Sequence, residues 1–567
     1  MATTDSTTST TTASSSYTYS SYSSSSSSSS TDLDWSALVE AAVAQKTTKA
    51  DTIDTKIEQN EAKIAAYQEM QTLLQAIASA AGSIRGTENS LTANDDAFSL
   101  REAYLTGYGD VNAESAVVVT VDADAELTSY DLEIKQLATA QKVAGSTYAD
   151  KTTDLGLTGT FTIGLEDMEQ VTVEVDDDMT LAEIAEAINL TTDESGVSAS
   201  VLEVANGDFR LILSASQTGQ QIQITDTSGS GLGQSLGLTD VDGNWVNELQ
   251  EAKNSIVTID GIEITRSTNT LDDVIEGVTF TLYQETENDA TINVEISNDL
   301  TSIKSAITNL VEAYNAYREW ALTQAETATA GGASSDAILF GDATLRSVNT
   351  AVAEALSTVI DKESMAMLGL SYDESNYLEL DEDTLNSALL QNLDEVEKLI
   401  SFTMTKDSKD IALLSRNASM PASLSLDIEV DADGAVSRIL VDGKEGMFEV
   451  SGSRIKGVEG TEYEGITFVF TGDTSQTVNM TFSSGILEKL YSAVNKYSDA
   501  SDSILTNLVT SLTETNEDLE EEASDIRSKA ETYRSNLTLL YAEYQAQIDA
   551  AQSSLDYLEA LLNAGDD

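Results

Sequence analysis

The feature that most constrains this chain is an apolar heptad pattern that runs through its C-terminal residues. Apolar side chains recur there in alternating steps of four and three, with one four-four step at Tyr544 and Ile548. That alternation is the about 3.5-residue period of a coiled-coil seam, and no Gly or Pro interrupts it. Its positions are Leu519, Ala523, Ile526, Ala530, Tyr533, Leu537, Leu540, Tyr544, Ile548, Ala551, Leu555, Leu558 and Leu562. The pattern predicts a long helix that needs a helical partner.

A second heptad pattern, near the N-terminus, supplies a candidate partner. Its positions are Ile57, Ile64, Tyr67, Leu74, Ile77, Ala81 and Ile84. An amphipathic stretch that includes Leu38 precedes it, with Asp34 as a candidate N-cap. We expect the two helices to pair within the subunit and their distal ends to contact neighbouring subunits. The residues expected in these seams are Leu38, Ile57, Ile64, Leu74, Leu519, Ile526, Tyr533, Leu537, Leu540, Tyr544, Ile548, Leu555 and Leu558.

Composition excludes several kinds of function. The chain has neither Cys nor His, which rules out a cysteine nucleophile, a Ser-His-Asp triad and a His-ligated zinc site. Its 97 acidic and 29 basic residues give a net charge of −68, so we expect no nucleic-acid binding and no attraction to anionic lipid. No apolar run approaches the roughly 20 residues that span a bilayer, so we expect no membrane insertion.

The periodicity changes along the chain predict a multidomain α+β fold. Terminal helices form a coiled-coil stalk, and β-rich head domains are inserted between them. The first residues are rich in Ser and Thr and have neither a basic region nor an apolar core, so they predict a disordered leader rather than a secretory signal. The predicted segments are the leader 1–32, an N-terminal helical stalk 33–98, a first head domain in two parts (99–144 and 251–299), a second head domain 145–250 inserted in it, a helical stalk domain 300–425, a small β-rich region 426–485 and C-terminal coiled-coil helices 486–567.

Within these segments the patterns predict particular elements. We expect one helix over residues 33–90, a short helix from Leu181 to Leu190, and helices from Leu300 to about residue 415. After Gly485 the spacing predicts helix up to Leu562.

The acidic and Gly-rich motifs do not have the residue spacing of a calcium-binding loop or a phosphate-binding loop. Asp240 to Asn244 and Asp431 to Gly434 lack the alternating oxygens, the glycine and the terminal Glu of a calcium loop, and turn chemistry explains them. Gly229, Gly231 and Gly233 have no following Lys, unlike a phosphate loop. We therefore expect no catalytic residues, no metal and no cofactor, and we interpret the chain as a structural protein rather than an enzyme.

Several motifs, taken in order, resemble the flagellar hook-associated protein 2 family. The match covers nearly the whole chain after residue 32. Asp32 replaces an expected Gly, and Tyr541 stands where the family usually has Phe. The similar stretches are Leu33 to Glu40, Tyr130 to Gln141, Leu181 to Asn189, Phe209 to Gly219, Val257 to Asn269, Asp273 to Leu282, Val311 to Asn315, Gly341 to Arg346, Leu368 to Glu382 and Gly465 to Ile486.

This resemblance implies a secreted, extracellular protein at the distal tip of the bacterial flagellar filament. The family caps the filament, retains exported flagellin and promotes its folding and polymerisation, so the seam residues would make subunit and filament contacts. The implied partners are further copies of the chain in a ring of about five subunits, flagellin, and a flagellar export chaperone. Two alternatives stay open: a flagellin-like or hook–filament junction axial protein, and a surface adhesin that uses the head domains.

Overall fold

The computed structural model describes residues 34–86, 96–123, 125–228, 231–416 and 420–563, with the side chains of residues 562 and 563 left out. The predicted leader, residues 1–32, lies outside the described residues, as does Gly229. The chain forms two compact units. Of the described residues, one unit contains 34–64 and 510–563, and the other contains those between Ala65 and Val509.

The two longest helices are the first and the last, as the heptad patterns predict. The helices among the described residues are α1 (Trp35–Gly82), α2 (Ala113–Ala116), α3 (Leu181–Asn189), α4 (Thr192–Ser195), α5 (Leu232–Ser235), α6 (Leu300–Thr323), α7 (Ala343–Leu356), α8 (Glu382–Gln391), α9 (Leu393–Ile400), α10 (Ile486–Ser498) and α11 (Ile504–Asn563). Helix α1 ends at Gly82, before the predicted end at residue 90, and a turn follows it.

The expectation of uninterrupted helix after Gly485 is wrong. Residues 499–503 separate α10 from α11. The Asp499 carboxylate accepts hydrogen bonds from the backbone N–H groups of Ser501 and Asp502, at 2.8 and 3.0 Å. Such local bonds give the backbone an alternative to helical pairing, and this explains the break.

The β-strands form three modules and one separate two-stranded sheet, Leu370–Tyr372 with Leu378–Leu380. They are β1 (Arg101–Tyr108), β2 (Val117–Val121), β3 (Ser129–Gln136), β4 (Lys142–Tyr148), β5 (Gly159–Leu165), β6 (Val171–Val175), β7 (Val197–Ala205), β8 (Asp208–Ala215), β9 (Ile222–Asp226), β10 (Glu248–Gln250), β11 (Ser255–Ile259), β12 (Ile262–Arg266), β13 (Thr270–Ile275), β14 (Val278–Leu282), β15 (Thr291–Asn298), β16 (Leu370–Tyr372), β17 (Leu378–Leu380), β18 (Phe402–Lys406), β19 (Ile411–Ser415), β20 (Ser423–Val430), β21 (Val436–Val441), β22 (Phe448–Ser451), β23 (Arg454–Gly457), β24 (Thr467–Phe470) and β25 (Gln476–Ser484).

The first of these modules combines strands from two distant parts of the sequence. A five-stranded sheet has the order β1-β15-β3-β11-β12, and a three-stranded sheet has the order β13-β14-β2. All the pairings are antiparallel. Leu132, Ile134 and Phe280, all fully buried, lie in the core of this head domain. The residues between β3 and β11 form a separate module.

That module, which we call the inserted head, contains β4 to β10 and α3 to α5. Its sheets have the orders β10-β4-β8-β7 and β6-β5-β9. Helix α3 begins with a capping box, in which the Thr180 hydroxyl and the Glu183 carboxylate each accept a bond from the other's backbone N–H. Leu181, Ile184 and Ile188 on α3 are fully buried against the strands.

Helices α6 to α10 and the second half of α1 lie in the same unit as the head domains. Asp299 caps α6 through a 2.9 Å bond from the N–H of Ser302, and Asp342 caps α7 in the same way from Leu345. The Tyr67 hydroxyl on α1 donates a 2.9 Å bond to the Asp342 carboxylate. Burial, followed by this bond, raises the pKa of Tyr67 to about 12.

A small β-sandwich lies between α9 and α10. Its sheets have the orders β18-β25-β20-β21 and β19-β24-β23-β22. The expectation of helices up to residue 415 is wrong here, because Phe402–Lys406 and Ile411–Ser415 are strands. Phe402, Ile411 and Leu413 are buried in the sandwich core, and Met404 packs against it. Their spacing of two suits a strand with one buried face.

The predicted fold class is confirmed: an α+β chain has helical termini and several antiparallel β modules between them. The strand groups do not start and stop where the predicted segments do. Strand β4 begins at Lys142, before the expected start of the inserted head at residue 145, and the small β region begins at Phe402 rather than 426.

Candidate assembly interface

The first half of α1 and the middle of α11, from Asn516 to Gln545, pair as antiparallel helices. One apolar cluster of this pair contains Ala50, Ile53 and Ile57 from α1 and Ala523 from α11. Leu519 and Ile526 pack against it and are half-buried. Residues spaced by three and four lie on one face of a helix, so the heptad patterns of the sequence produce this contact directly.

A second cluster lies near the start of α1. Val39 and Val43 bury against Ala530, and Leu537 and Tyr541 pack beside them. The cluster is extended by Trp35, whose ring stacks on that of Tyr541 with 4.8 Å between centroids. The indole N–H of Trp35 donates a 2.7 Å bond to the side-chain carbonyl of Gln545. Trp35 thus makes the last contact at this end of the helix pair.

Polar contacts along the edges of the pair fix its register. Lys49 forms an ion pair with Glu522 at 2.5 Å, Arg534 with Glu40 at 2.9 Å, and Arg527 with Asp54. The hydrogen bond and charge of Lys49 lower the pKa of the Glu522 carboxyl. These pairs are solvent-exposed, so each contributes little to stability, but together they favour the antiparallel arrangement.

The structure places the predicted seam residues in three environments. Ile57 is buried in the helix pair, and Leu74 is buried in the other compact unit. Four are half-buried: Ile64, Leu519, Ile526 and Leu537. The exposed ones are Leu38, Tyr533, Leu540, Tyr544, Ile548, Leu555 and Leu558. The role of all of them in assembly stays a prediction.

Several contributing residues are not among the predicted seam positions. Ala50 and Ile53 continue the α1 heptad toward Val43 and Val39 in steps of three, four and seven, and extending the pattern backward would have found them. No pattern of the sequence points to the Trp35–Tyr541 stack or to Lys46, whose ammonium lies 5.5 Å from the ring centre of Tyr533. Those contacts depend on the register of two helices that are distant in sequence.

Beyond Gln545 none of the described residues covers the apolar seam of α11. Every side chain from 546 to 561 is exposed in the described structure, including Ile548, Leu555 and Leu558 on one face. The charged side chains of this stretch are Asp549, Asp556 and Glu559, all acidic. A helix with an exposed apolar face of this length is suited to bind another helix. We call residues 546–561 the uncovered segment.

The described part of the chain lacks the elements of two other kinds of site. It holds no group of three or more acidic side chains placed to bind a metal ion. Among the helices that the structure describes, none is long and apolar enough to cross a membrane.

Comparison with known proteins supports a structural role. The family model for the flagellar hook-associated protein 2 C-terminus matches residues 252–553, and the model for its N-terminus matches residues 31–141. The flagellin hook IN motif matches residues 155–217, within the inserted head. A chain with paired terminal helices around β modules of these kinds is an axial structural subunit of the flagellum. It belongs to the flagellar hook-associated protein 2 family.

The individual relatives are distant from this chain in sequence. The B-type flagellar hook-associated protein 2 of Pseudomonas aeruginosa is 28% identical over 345 residues, which cover 57% of this chain and 71% of the relative. The flagellar hook-associated protein 2 of Escherichia coli O157:H7 is 28% identical over 384 residues, which cover 65% of this chain and 78% of the relative. The crystal structure of the D1-D2-D3 domains of the flagellar cap protein FliD from Escherichia coli is 24% identical, with a TM-score of 0.45, over 59% of this chain and 90% of that one.

Proposed function

We propose that this chain caps the distal tip of a bacterial flagellar filament, where it retains exported flagellin and promotes its folding and polymerisation. Membership of the family supports the cap role. The uncovered segment of α11 is the observation that supports a contact with the filament or with another copy. An apolar seam that continues past its partner is incomplete in a single subunit. Covering it by a helix of the filament or of another copy removes apolar surface from water and so drives assembly.

The finer parts of the proposal concern partners and location. The protein is exported to the cell exterior, with the help of an export chaperone, and forms a ring of about five copies. The division into leader, stalk and head segments and the thirteen seam residues belong to the same proposal. Within it, Ile57, Leu519, Ile526 and Leu537 hold the helix pair together, and Ile548, Leu555 and Leu558 make the contacts outside the subunit.

The position of the protein on the cell tests the cap role against its alternatives. Because the chain has no Cys, one introduced Cys gives a single labelling site for a fluorescent maleimide. Val241 in the inserted head is 82% exposed and is a suitable position for Val241→Cys. We expect one fluorescent spot at the distal end of each filament. Label along the filament would indicate a flagellin-like protein, label at its base a junction protein, and label on the cell body an adhesin.

Deletion of the gene tests the activity itself. We expect short or absent filaments and unpolymerised flagellin in the medium, both restored by the parent gene. Complementation with Leu558→Asp should fail, because the substitution places a charge on the uncovered segment. Complementation with Ser553→Asp, on the opposite face of the same helix, should succeed. Normal filaments in the deletion strain would overturn the proposal.

Salt tests the proposed self-association. The net charge of −68 on each subunit opposes any ring by long-range repulsion. At about 1 M salt the Debye length falls to roughly 3 Å, which removes most of this repulsion and leaves apolar contacts intact. Sedimentation velocity should therefore show more oligomer at high salt than at low salt. Oligomers that dissociate as salt rises would show that ion pairs hold the subunits together.

A further inference from the structure

The β-sandwich of residues 402–484 is inserted into the helical part of the chain at a single point. The chain leaves α9 at Ser401 and re-enters α10 at Gly485, and the N–H of Gly485 donates a 2.9 Å bond to the carbonyl of Ser401. Phe402 and Ser484 are paired in the ladder of β18 and β25. The sandwich also has its own apolar core, which includes Phe468 and Met480. Entry and exit therefore lie side by side, as expected for a self-contained module.

Hydrogen bonds to the main chain hold this junction against the turn that follows α1. The N–H of Phe402 donates a 2.7 Å bond to the carbonyl of Arg85, and the buried Ser401 hydroxyl donates a 2.8 Å bond to the carbonyl of Ile84. A Cβ on Gly485 would lie 2.2 Å from the carbonyl carbon of Ile400, so only glycine fits there. The contact is tight, yet two strands emerging from one point can still pivot as a pair.

A buried ion triad spans the same junction. The Glu488 carboxylate, on the first turn of α10, accepts bonds from Arg85 Nη1 at 2.7 Å and from Arg416 Nη2 at 2.8 Å. The side chains of Arg416 and Glu488 are 1% and 6% exposed, and that of Arg85 is 17% exposed. Arg85 lies in the turn after α1, Arg416 directly follows β19 in the sandwich, and Glu488 is on α10. Each residue therefore belongs to a different one of the three parts that meet at the junction.

Aromatic rings and a carbonyl fix the two guanidinium groups in direction as well as position. Arg416 lies over the ring of Phe402, with 4.3 Å to its centre, and Arg85 lies over that of Tyr491 at 3.9 Å. Arg416 Nη2 also donates a 3.0 Å bond to the carbonyl of Gly86. A planar guanidinium held by a carboxylate, a carbonyl and a ring has one orientation, which a lysine or an apolar side chain would not reproduce.

We propose that the Arg85–Glu488–Arg416 triad is an orientation clamp, which holds the β-sandwich in one fixed position on the helices so that the two move as one body. Buried ion pairs seldom add net stability, because desolvation offsets their attraction. They can instead select one geometry, since any other arrangement leaves a buried charge without its partner. The main-chain bonds attach the module through β18, and Arg416, which follows β19 in the other sheet of the sandwich, adds a second attachment beside Phe402 that opposes pivoting. The inference is independent of the cap role.

The test measures the distance between the sandwich and the helices by electron–electron double resonance. The spin labels are attached to Ser437→Cys on β21 and Ser347→Cys on α7, which are both exposed positions. Because the chain has no Cys of its own, these are the only thiols in the protein. The parent should give one narrow distance distribution. A triple variant, Arg85→Met, Arg416→Met and Glu488→Met, removes all three charges of the triad together. It should keep a cooperative melt close to that of the parent and give a broader or shifted distribution.

Two single variants complete the design. Glu488→Gln keeps the shape of the side chain but removes the negative charge that lies between the two guanidinium groups, so it should lower the melting temperature and broaden the distribution. Glu449→Gln is the matched control, because its ion pair with Lys456 in the same sandwich is more than 60% exposed. It should change neither quantity. A triple variant with the parent's narrow distribution would overturn the clamp, because the main-chain contacts would then suffice. A triple variant that does not fold would overturn it as well, since the triad would then be needed for stability rather than orientation.

Discussion

The inserted head and the terminal helix pair bury their apolar side chains to very different extents. In the inserted head, Phe161 on β5, Leu213 on β8 and Ile188 on α3 are completely inaccessible to solvent. In the helix pair, Val39 and Ile57 keep 6% and 9% of their surface exposed, and Leu537 is only half-buried. Two sheets and a helix enclose a core from several sides, whereas two helices cover only one stripe of each other.

This difference shows which part of the molecule is complete by itself. The inserted head has a closed apolar core of its own, although Leu190, Leu202 and Val204 at its surface are exposed. The paired part of the helices stops at Trp35, the first residue of α1. The apolar seam of α11 continues past that point as the uncovered segment. Substitutions should therefore affect the isolated subunit strongly in the inserted head, moderately in the paired part of the helices, and hardly at all in the uncovered segment.

The largest effect is expected for Phe161→Ala in the inserted head. Removing a fully buried ring leaves a cavity and should lower the free energy of unfolding by about 3–5 kcal/mol. Hydrogen exchange should show lost protection in β4 to β9 and unchanged protection in α11. Val241→Ala, at an 82% exposed position of the same module, is the control and should stay within about 0.5 kcal/mol of the parent. Equal loss of protection in α11 would show that the two regions unfold together.

A smaller but clear effect is expected for Leu537→Asp in the paired helices. The substitution removes a half-buried side chain from the cluster around Val39 and Val43 and places a carboxylate there. We expect the paired region to lose about 2–3 kcal/mol, with faster hydrogen exchange at the start of α1 and loss of motility in cells. Ser535→Asp adds the same charge on the opposite face of α11. If both variants behaved alike, added charge rather than the seam would be the cause.

A slight effect is expected for Glu522→Gln at the edge of the helix pair. Lys49 lowers the folded pKa of Glu522, so its contribution is present above the ordinary pKa of a glutamate and is lost as pH falls through the lowered value. The melting temperature should fall slightly at neutral pH and low salt, and the difference should vanish below that pH range and at about 1 M salt. Glu520→Gln, at an exposed position two residues away, removes a charge outside this ion pair. An identical change in both variants would indicate general charge repulsion instead.

No effect on the isolated subunit is expected for Leu558→Asp in the uncovered segment. The side chain is already 55% exposed, so the free energy of unfolding should stay within about 0.5 kcal/mol of the parent. The same variant should fail to form oligomers in sedimentation velocity and should not support filament growth. A subunit destabilised as much as by Leu537→Asp would mean that this stretch is already covered within the subunit.

Features that depend on local sequence were predictable. The heptads predicted both terminal helices, and the period-two alternation predicted the strands of the head domains. The apolar spacing from Leu181 to Leu190 predicted α3, whose capping box is itself a local signal. The absence of Cys and His excluded whole classes of chemistry at once. The α+β class and the family followed from the same local patterns, because period and motif order are properties of the chain.

The tertiary structure alone decided which of these surfaces meet. Phe402–Lys406 and Ile411–Ser415 are short apolar segments that fit a helix or a strand, and pairing with β25 and β24 makes them strands. The heptad shows that Leu537 and Leu558 share one face of α11, but only the position of Trp35 shows that the first is covered and the second is not. Likewise, Arg85, Arg416 and Glu488 are far apart in sequence, and no periodicity relates them. Burial depends on which distant segments pack together, and that is a property of the folded chain.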